Sequence, residues 1–97
     1  MEVRFEDDDL DKLEVEPGDR GYPPDVVRAY RKRLQYIRDA ADIRDFYSMK
    51  SLHFEKLKGD RSEEHSMRLN KQWRLVMRFE GEAPRVAAVL TGIEDYH

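Results

Sequence analysis

The chain is 97 residues long, contains no cysteine, and carries 18 Lys and Arg against 21 Asp and Glu for a formal net charge of -3. That length allows one domain, residues 1–97, with one hydrophobic core, and leaves no room for a second lobe. Disulfides and thiolate zinc sites are excluded, which suits a reducing cytoplasm. The opening Met1-Glu2-Val3-Arg4-Phe5-Glu6 is no apolar signal segment, and the longest aliphatic run, Val86 to Leu90, is far too short to span a bilayer. A soluble, cytoplasmic protein with no membrane partner is expected.

The average charge hides two regions. Residues 1–19 hold nine acids against Arg4 and Lys12, a balance of -7, whereas residues 20–97 balance at +4. Between Lys50 and Arg78 there are eight bases and only four acids. An acidic start and a basic centre point to two different surfaces, and the basic one can receive a polyanion.

Taken in chain order, Val3 and Phe5 alternate with charged residues as a first strand would, and Asp7-Asp8-Asp9 place acids at the start of a short helix through Leu10 and Leu13. Pro17-Gly18 and Gly21-Tyr22-Pro23-Pro24 interrupt it. Pro24-Asp25 opens a second helix, whose apolar stripe is Val27, Tyr30, Leu34, Ile37 and Ala41. Asp42 with Asp45 reads as the capped start of one more helical turn carrying Ile43, Phe46 and Tyr47. From His53 the period becomes that of strands, and His53 itself is expected to start one. Gly59-Asp60 is a turn. His65, Met67 and Leu69 then share one face, as do Trp73, Leu75, Met77 and Phe79, on either side of Asn70-Lys71-Gln72. His65 is expected to pack with one ring nitrogen satisfied. A last strand runs from Arg85 to Thr91, with Gly92 loosening the chain beyond it.

A slip of one residue would swap the faces of the hairpin, so a three-residue loop is required to set Leu69 opposite Trp73 and Met67 opposite Leu75. The same register sets Arg68 opposite Arg74 and Glu64 opposite Arg78. Like charges directly across a ladder destabilise it by a few tenths to about 1 kcal/mol, so the Arg68/Arg74 pair calls for an anion. A phosphate can supply it, and so can Glu64, Glu63 or Asp60 internally.

The sequence closes on Glu94-Asp95-Tyr96-His97, which gathers carboxylates, a phenol and an imidazole. Such a group can exchange protons near neutrality; it can also be a polar frayed terminus. The run Phe54-Glu55-Lys56-Leu57-Lys58-Gly59-Asp60-Arg61, followed by Ser66-Met67-Arg68-Leu69-Asn70-Lys71-Gln72-Trp73-Arg74 and closed by Asp95-Tyr96-His97, resembles a HigB-type toxin of the RelE/ParE superfamily over essentially the whole chain. The Pro-Pro-Asp helix opening and Asp39-Ala40-Ala41 belong to the same likeness.

This resemblance implies an α+β, RelE-like fold, with two N-terminal helices packed on a curved, mostly antiparallel sheet of four to five strands. It implies cleavage of messenger RNA in the ribosomal (30S) decoding site and restraint by a HigA-type helix-turn-helix antitoxin. By position, Lys58 corresponds to the family's basic active-site residue, Arg74 to its phosphate-binding Arg, and Asp95, Tyr96 and His97 to the terminal catalytic group. Glu55 stands where some members place a catalytic His and others Glu. One departure is Glu63-Glu64-His65 in place of the commoner Gly-Gln-Tyr, which brings two acids to the surface meant for RNA.

The expected chemistry is cofactor-free and metal-free. The ribose 2′-hydroxyl attacks the adjacent phosphate, His97 moves protons with Asp95 beside it, Tyr96 stacks on a base or assists the leaving group, and Glu55 is a second base. Lys58, Arg68 and Arg74 neutralise the phosphorane, while Arg61, Lys56 and Lys71 add RNA-binding charge. His53, His65 and His97 lack a zinc-ligand spacing. Two rival readings remain: a ParE-like gyrase inhibitor that does not cut RNA, and an attenuated toxin acting mainly in an autoregulatory antitoxin complex.

Overall fold

A computed structural model describes residues 1–95. It is an α+β structure built on one five-stranded sheet, in the order β1-β5-β4-β3-β2. The strands are β1 (Glu2–Phe5), β2 (Glu55–Lys56), β3 (Glu64–Arg68), β4 (Trp73–Glu80) and β5 (Ala87–Asp95). Only β1 and β5 run parallel; the other three pairings are antiparallel.

Three helices, α1 (Asp8–Val15), α2 (Pro24–Asp39) and α3 (Arg44–Ser48), join the strands. Helix α1 starts because the Asp7 side chain accepts the Asp9 N–H at 2.7 Å, and Asp8, Asp9 and Asp11 lie in the first turn, where the helix dipole favours acids. Leu10 and Leu13 are its buried residues. Pro24 opens α2 without losing a hydrogen bond that an interior residue would need, and Val26, Val27, Tyr30, Leu34 and Ile37 are buried. Tyr30 donates its hydroxyl to the Leu10 carbonyl at 2.7 Å, fastening the two helices together. The stripe differs from expectation at its end: the buried alanine is Ala40, and Ala41 is exposed. Asp45 explains this, since its carboxylate accepts the N–H groups of both Ala41 and Asp42 and so commits that segment to the cap of α3.

The helices cover one face of the sheet. Leu10, Leu13, Tyr30, Leu34, Ile37 and Phe46 form a single core with Met67, Leu75, Met77, Ala88, Leu90 and Ile93. Burial of this apolar area is the main force holding the layers together.

The hairpin has the expected register, with Met67 opposite Leu75, Arg68 opposite Arg74 and Glu64 opposite Arg78. Its loop is closed by Asn70, whose side-chain oxygen accepts the Gln72 and Trp73 N–H groups, both at 2.8 Å. Two expectations are overturned. His53 does not start a strand: it ends a 3-10 turn (Lys50–Leu52) with a left-handed backbone, φ 46 and ψ 46, and β2 begins at Glu55. Nor does the last strand stop near Thr91, for β5 continues to Asp95.

A β-bulge makes that continuation possible. Val76 pairs with Gly92 but Met77 pairs with Leu90, so Thr91 is an extra residue in β5. One extra residue reverses the phase of a strand. Ile93 therefore reaches the core, while Glu94, opposite Arg74, turns to the face away from the helices.

Candidate functional site

Alternation along the strands decides which side chains the uncovered face displays. It receives Glu55 from β2, Ser66 and Arg68 from β3, Arg74, Val76 and Arg78 from β4, and Glu94 from β5. Directly opposed, Arg68 and Arg74 repel, and the structure answers that repulsion with specific acceptors.

Arg74 is only 8% exposed, so its charge must be compensated inside the protein. Its Nε donates to Ser66 Oγ at 2.8 Å, and Nη2 donates to the carbonyls of His53 and Ser66. A Glu55 carboxylate oxygen lies 3.9 Å from Nη2. Among the described residues Glu55, rather than Glu63, Glu64 or Asp60, is the anion facing this arginine. Arg68 donates from Nε to the Asn70 carbonyl at 3.2 Å, and its Nη1 meets His53 Nε2 at 3.0 Å. A guanidinium only donates, so the imidazole nitrogen is the acceptor in this contact.

Next to these residues Glu55, Lys56, Leu57, Lys58 and Arg61 line an open hollow of about 380 Å³. Gly59 follows Lys58 with φ 72, a left-handed turn that glycine adopts without strain. Arg61 is fully engaged: Nη1 and Nη2 donate to the two carboxylate oxygens of Glu94 at 2.9 and 2.5 Å, and Nε donates to Glu64 at 2.9 Å. The other Glu64 oxygen accepts the Thr91 hydroxyl at 3.0 Å. Hydrogen bonding from Arg61, ahead of that from Thr91, holds the Glu64 carboxyl below its ordinary value. Of the two acids that the sequence brings to this surface, Glu64 is taken up by these contacts and Glu63 is exposed.

The predicted site residues accordingly divide. Glu55, Arg68 and Arg74 project from one face, Arg61 reaches Glu64 and Glu94 on it, and Lys58 lines the hollow beside Glu55 and Arg61. Lys56 is opposite His65 in the ladder and shares the helix-side phase of that residue, and Lys71 lies exposed at the hairpin loop. Asp95 pairs with Trp73 and accepts the Gln72 side-chain N–H at 3.0 Å, a phase opposite to that of Glu94. Tyr96 and His97 lie outside the described residues.

His65 is packed between aromatic rings. It stacks on Phe54 with ring centroids 5.1 Å apart and meets Phe79 edge-on, and its buried Nδ1 has no hydrogen-bond partner among the described residues. Desolvation, assisted by Lys56, pushes its pKa down.

Sequence reasoning missed Ser66 and His53 and assigned Glu94 no separate role. A serine at a strand position diagonal to a buried arginine is a readable signal once the register is known. The left-handed turn at His53 has only a weak local signature, histidine being one of the non-glycine residues enriched at positive φ.

A family model described as "HigB-like toxin: RelE-like toxin of type II toxin-antitoxin system HigB" matches residues 3–97. The chain belongs to the HigB-like toxin family. It is a RelE-like toxin of a type II toxin-antitoxin system, and that membership implies an antitoxin partner. Among solved structures, the fold is similar to that of a YoeB/ParE toxin from Agrobacterium tumefaciens, with a TM-score of 0.60, 17% identity and 100% of both chains covered. No curated protein matches the sequence. Among the described residues of this HigB-like toxin, no helix is long and apolar enough to cross a membrane.

Proposed function

We propose that this toxin is a ribosome-dependent endoribonuclease that cleaves mRNA in the 30S decoding site, acts in the cytoplasm, and is restrained by a HigA-type helix-turn-helix antitoxin. The observation that supports this most directly is that Arg68, Arg74 and Glu55 project from one uncovered face beside the hollow that Glu55 and Lys58 line, with Arg74 held, among the described residues, by oxygens of Ser66 and His53 and faced by Glu55. Preorganised cations of this kind stabilise charge developing on a phosphorane without reorganising during the reaction.

In the proposed reaction, a base removes the proton of the ribose 2′-hydroxyl as its oxygen attacks phosphorus. The bond to the 5′-oxygen breaks, and an acid protonates that leaving oxygen, giving a 2′,3′-cyclic phosphate and a 5′-hydroxyl. His97 and Glu55 share the proton transfers, with Asp95 supporting His97 and Tyr96 stacking on a base. Lys58, Arg68 and Arg74 hold the phosphate, and Lys56 and Lys71 draw the RNA strand in.

Arg74→Lys keeps the charge but loses the planar fork, and should lower cleavage of ribosome-bound mRNA about 10²- to 10³-fold in primer extension. His97→Ala should abolish the codon-linked cuts and relieve growth arrest. Unchanged cleavage patterns in both variants would refute the assignment. Inhibition of gyrase supercoiling by the purified protein, with no RNA cleavage on ribosomes, would replace it with the ParE-like reading.

A further inference from the structure

Arg61 is a predicted RNA contact, yet all three of its guanidinium nitrogens donate to carboxylates of the protein itself. It ends the 3-10 turn Gly59–Arg61, immediately after Lys58. From there its guanidinium reaches two different strands, Glu64 of β3 and Glu94 of β5. Neither glutamate is drawn to the arginine directly across the ladder from it. Arg78, opposite Glu64, turns to Glu6 and Glu80, and Arg74, opposite Glu94, turns to Ser66, His53 and Glu55. Both acids are thereby left for Arg61. The bulge contributes twice: its phase reversal presents Glu94, and its extra residue, Thr91, donates a hydroxyl to Glu64.

The geometry points to a positioning clasp. We infer that Arg61, Glu64 and Glu94 fix the Lys58 loop to strand β5 beside Asp95, so that two segments far apart in sequence are held in one frame. This rests on the endoribonuclease reading for its effect on rate, but not for its effect on structure. A bidentate guanidinium–carboxylate contact has the angular stiffness such a role demands, which an ammonium could not provide. The contact is half exposed, so its worth is in orientation more than in stability. A competing role is easily stated: Arg61 could be a phosphate ligand masked by its acids and released when RNA arrives. The two make opposite forecasts for removal of one carboxylate charge.

The experiment uses Glu94→Gln, Arg61→Lys and the exchanged pair R61E/E94R. Each is assayed for cleavage of ribosome-bound mRNA and for amide hydrogen exchange in the free protein. A clasp predicts that Glu94→Gln and Arg61→Lys each lower kcat roughly tenfold with KM within about twofold, as expected for loss of a charge-assisted hydrogen bond that orients a cation. Exchange at the amides of residues 59–62 should accelerate by a similar factor, and R61E/E94R should restore a large part of both. Tighter RNA binding by Glu94→Gln with its rate retained would overturn the clasp in favour of the masked ligand. Unaltered exchange in both single variants would overturn it as well. If the wild-type protein cleaves no RNA, the enzymatic reading fails alone, and the exchange data still decide the clasp.

Discussion

The two faces of the sheet solve the same problem of burial in different ways. On the helix side, Leu75 and Met77 are fully buried among other apolar side chains, and closeness of fit is all that is required of them. On the uncovered side, alternate residues of the same strand include Arg74, at 8% exposure, and Arg78. There each guanidinium has its own named acceptors: Arg74 has Ser66, His53 and Glu55, Arg61 has Glu64 and Glu94, and Arg78 has Glu6 and Glu80. The contrast teaches that the charged face is ordered by pairing, and that its cations are directed rather than merely numerous. A face of unpaired arginines would bind any polyanion. One whose arginines are individually tethered can present a selected few.

The contrast can be broken from the helix side most severely. Leu75→Ala removes a fully buried side chain from the core on the helix side of the sheet and should cost about 2–5 kcal/mol of stability, read as a lower urea midpoint with the slope unchanged. On the other face, Ser66→Ala removes the oxygen that accepts from Arg74 Nε and should cost about 1–3 kcal/mol. Because it also loosens Arg74, it should reduce cleavage by more than its stability loss explains, whereas Leu75→Ala at a temperature where it stays folded should not.

The smallest effect is pH-dependent and lies at the rim of the core. Burial holds the His65 imidazole below its ordinary 6.5, so as pH falls the unfolded chain takes up the proton first. The contribution of His65 is therefore complete above about pH 6.5 and is lost as pH falls through its lower folded value. His65→Phe keeps a ring between Phe54 and Phe79 and should flatten that part of the acid limb in denaturation measured from pH 8 down to pH 5.

Most of the architecture was legible because it depends on periodicity. The switch from the three-and-four spacing of Val27, Tyr30, Leu34 and Ile37 to the alternation of Met67, Leu69, Trp73 and Leu75 located both layers and the hairpin register. What escaped depends on backbone detail with little side-chain signature. Only the histidine of Leu52-His53-Phe54 hints at a left-handed residue, yet that turn aims a carbonyl at Arg74. Likewise, Thr91-Gly92 reads as a strand ending, although pairing with Val76 and Met77 carries the strand through it. Of the cations singled out in the sequence, Arg68 and Arg74 lie side by side on one face, and Lys58 lines the hollow next to Glu55. The site was less legible in its anions, because cross-strand pairing suggested Glu64 with Arg78, and the side chains chose otherwise.

The bulge at Thr91 sets a rule of inheritance for the end of the chain. Substitutions along β5 are judged one at a time, but deletion of a single codon there would exchange the roles of its last residues, pushing Ile93 toward water and Glu94 toward the apolar interior. Descendants of this protein should therefore vary in the letters of that segment while keeping its count from Leu90 onward unchanged.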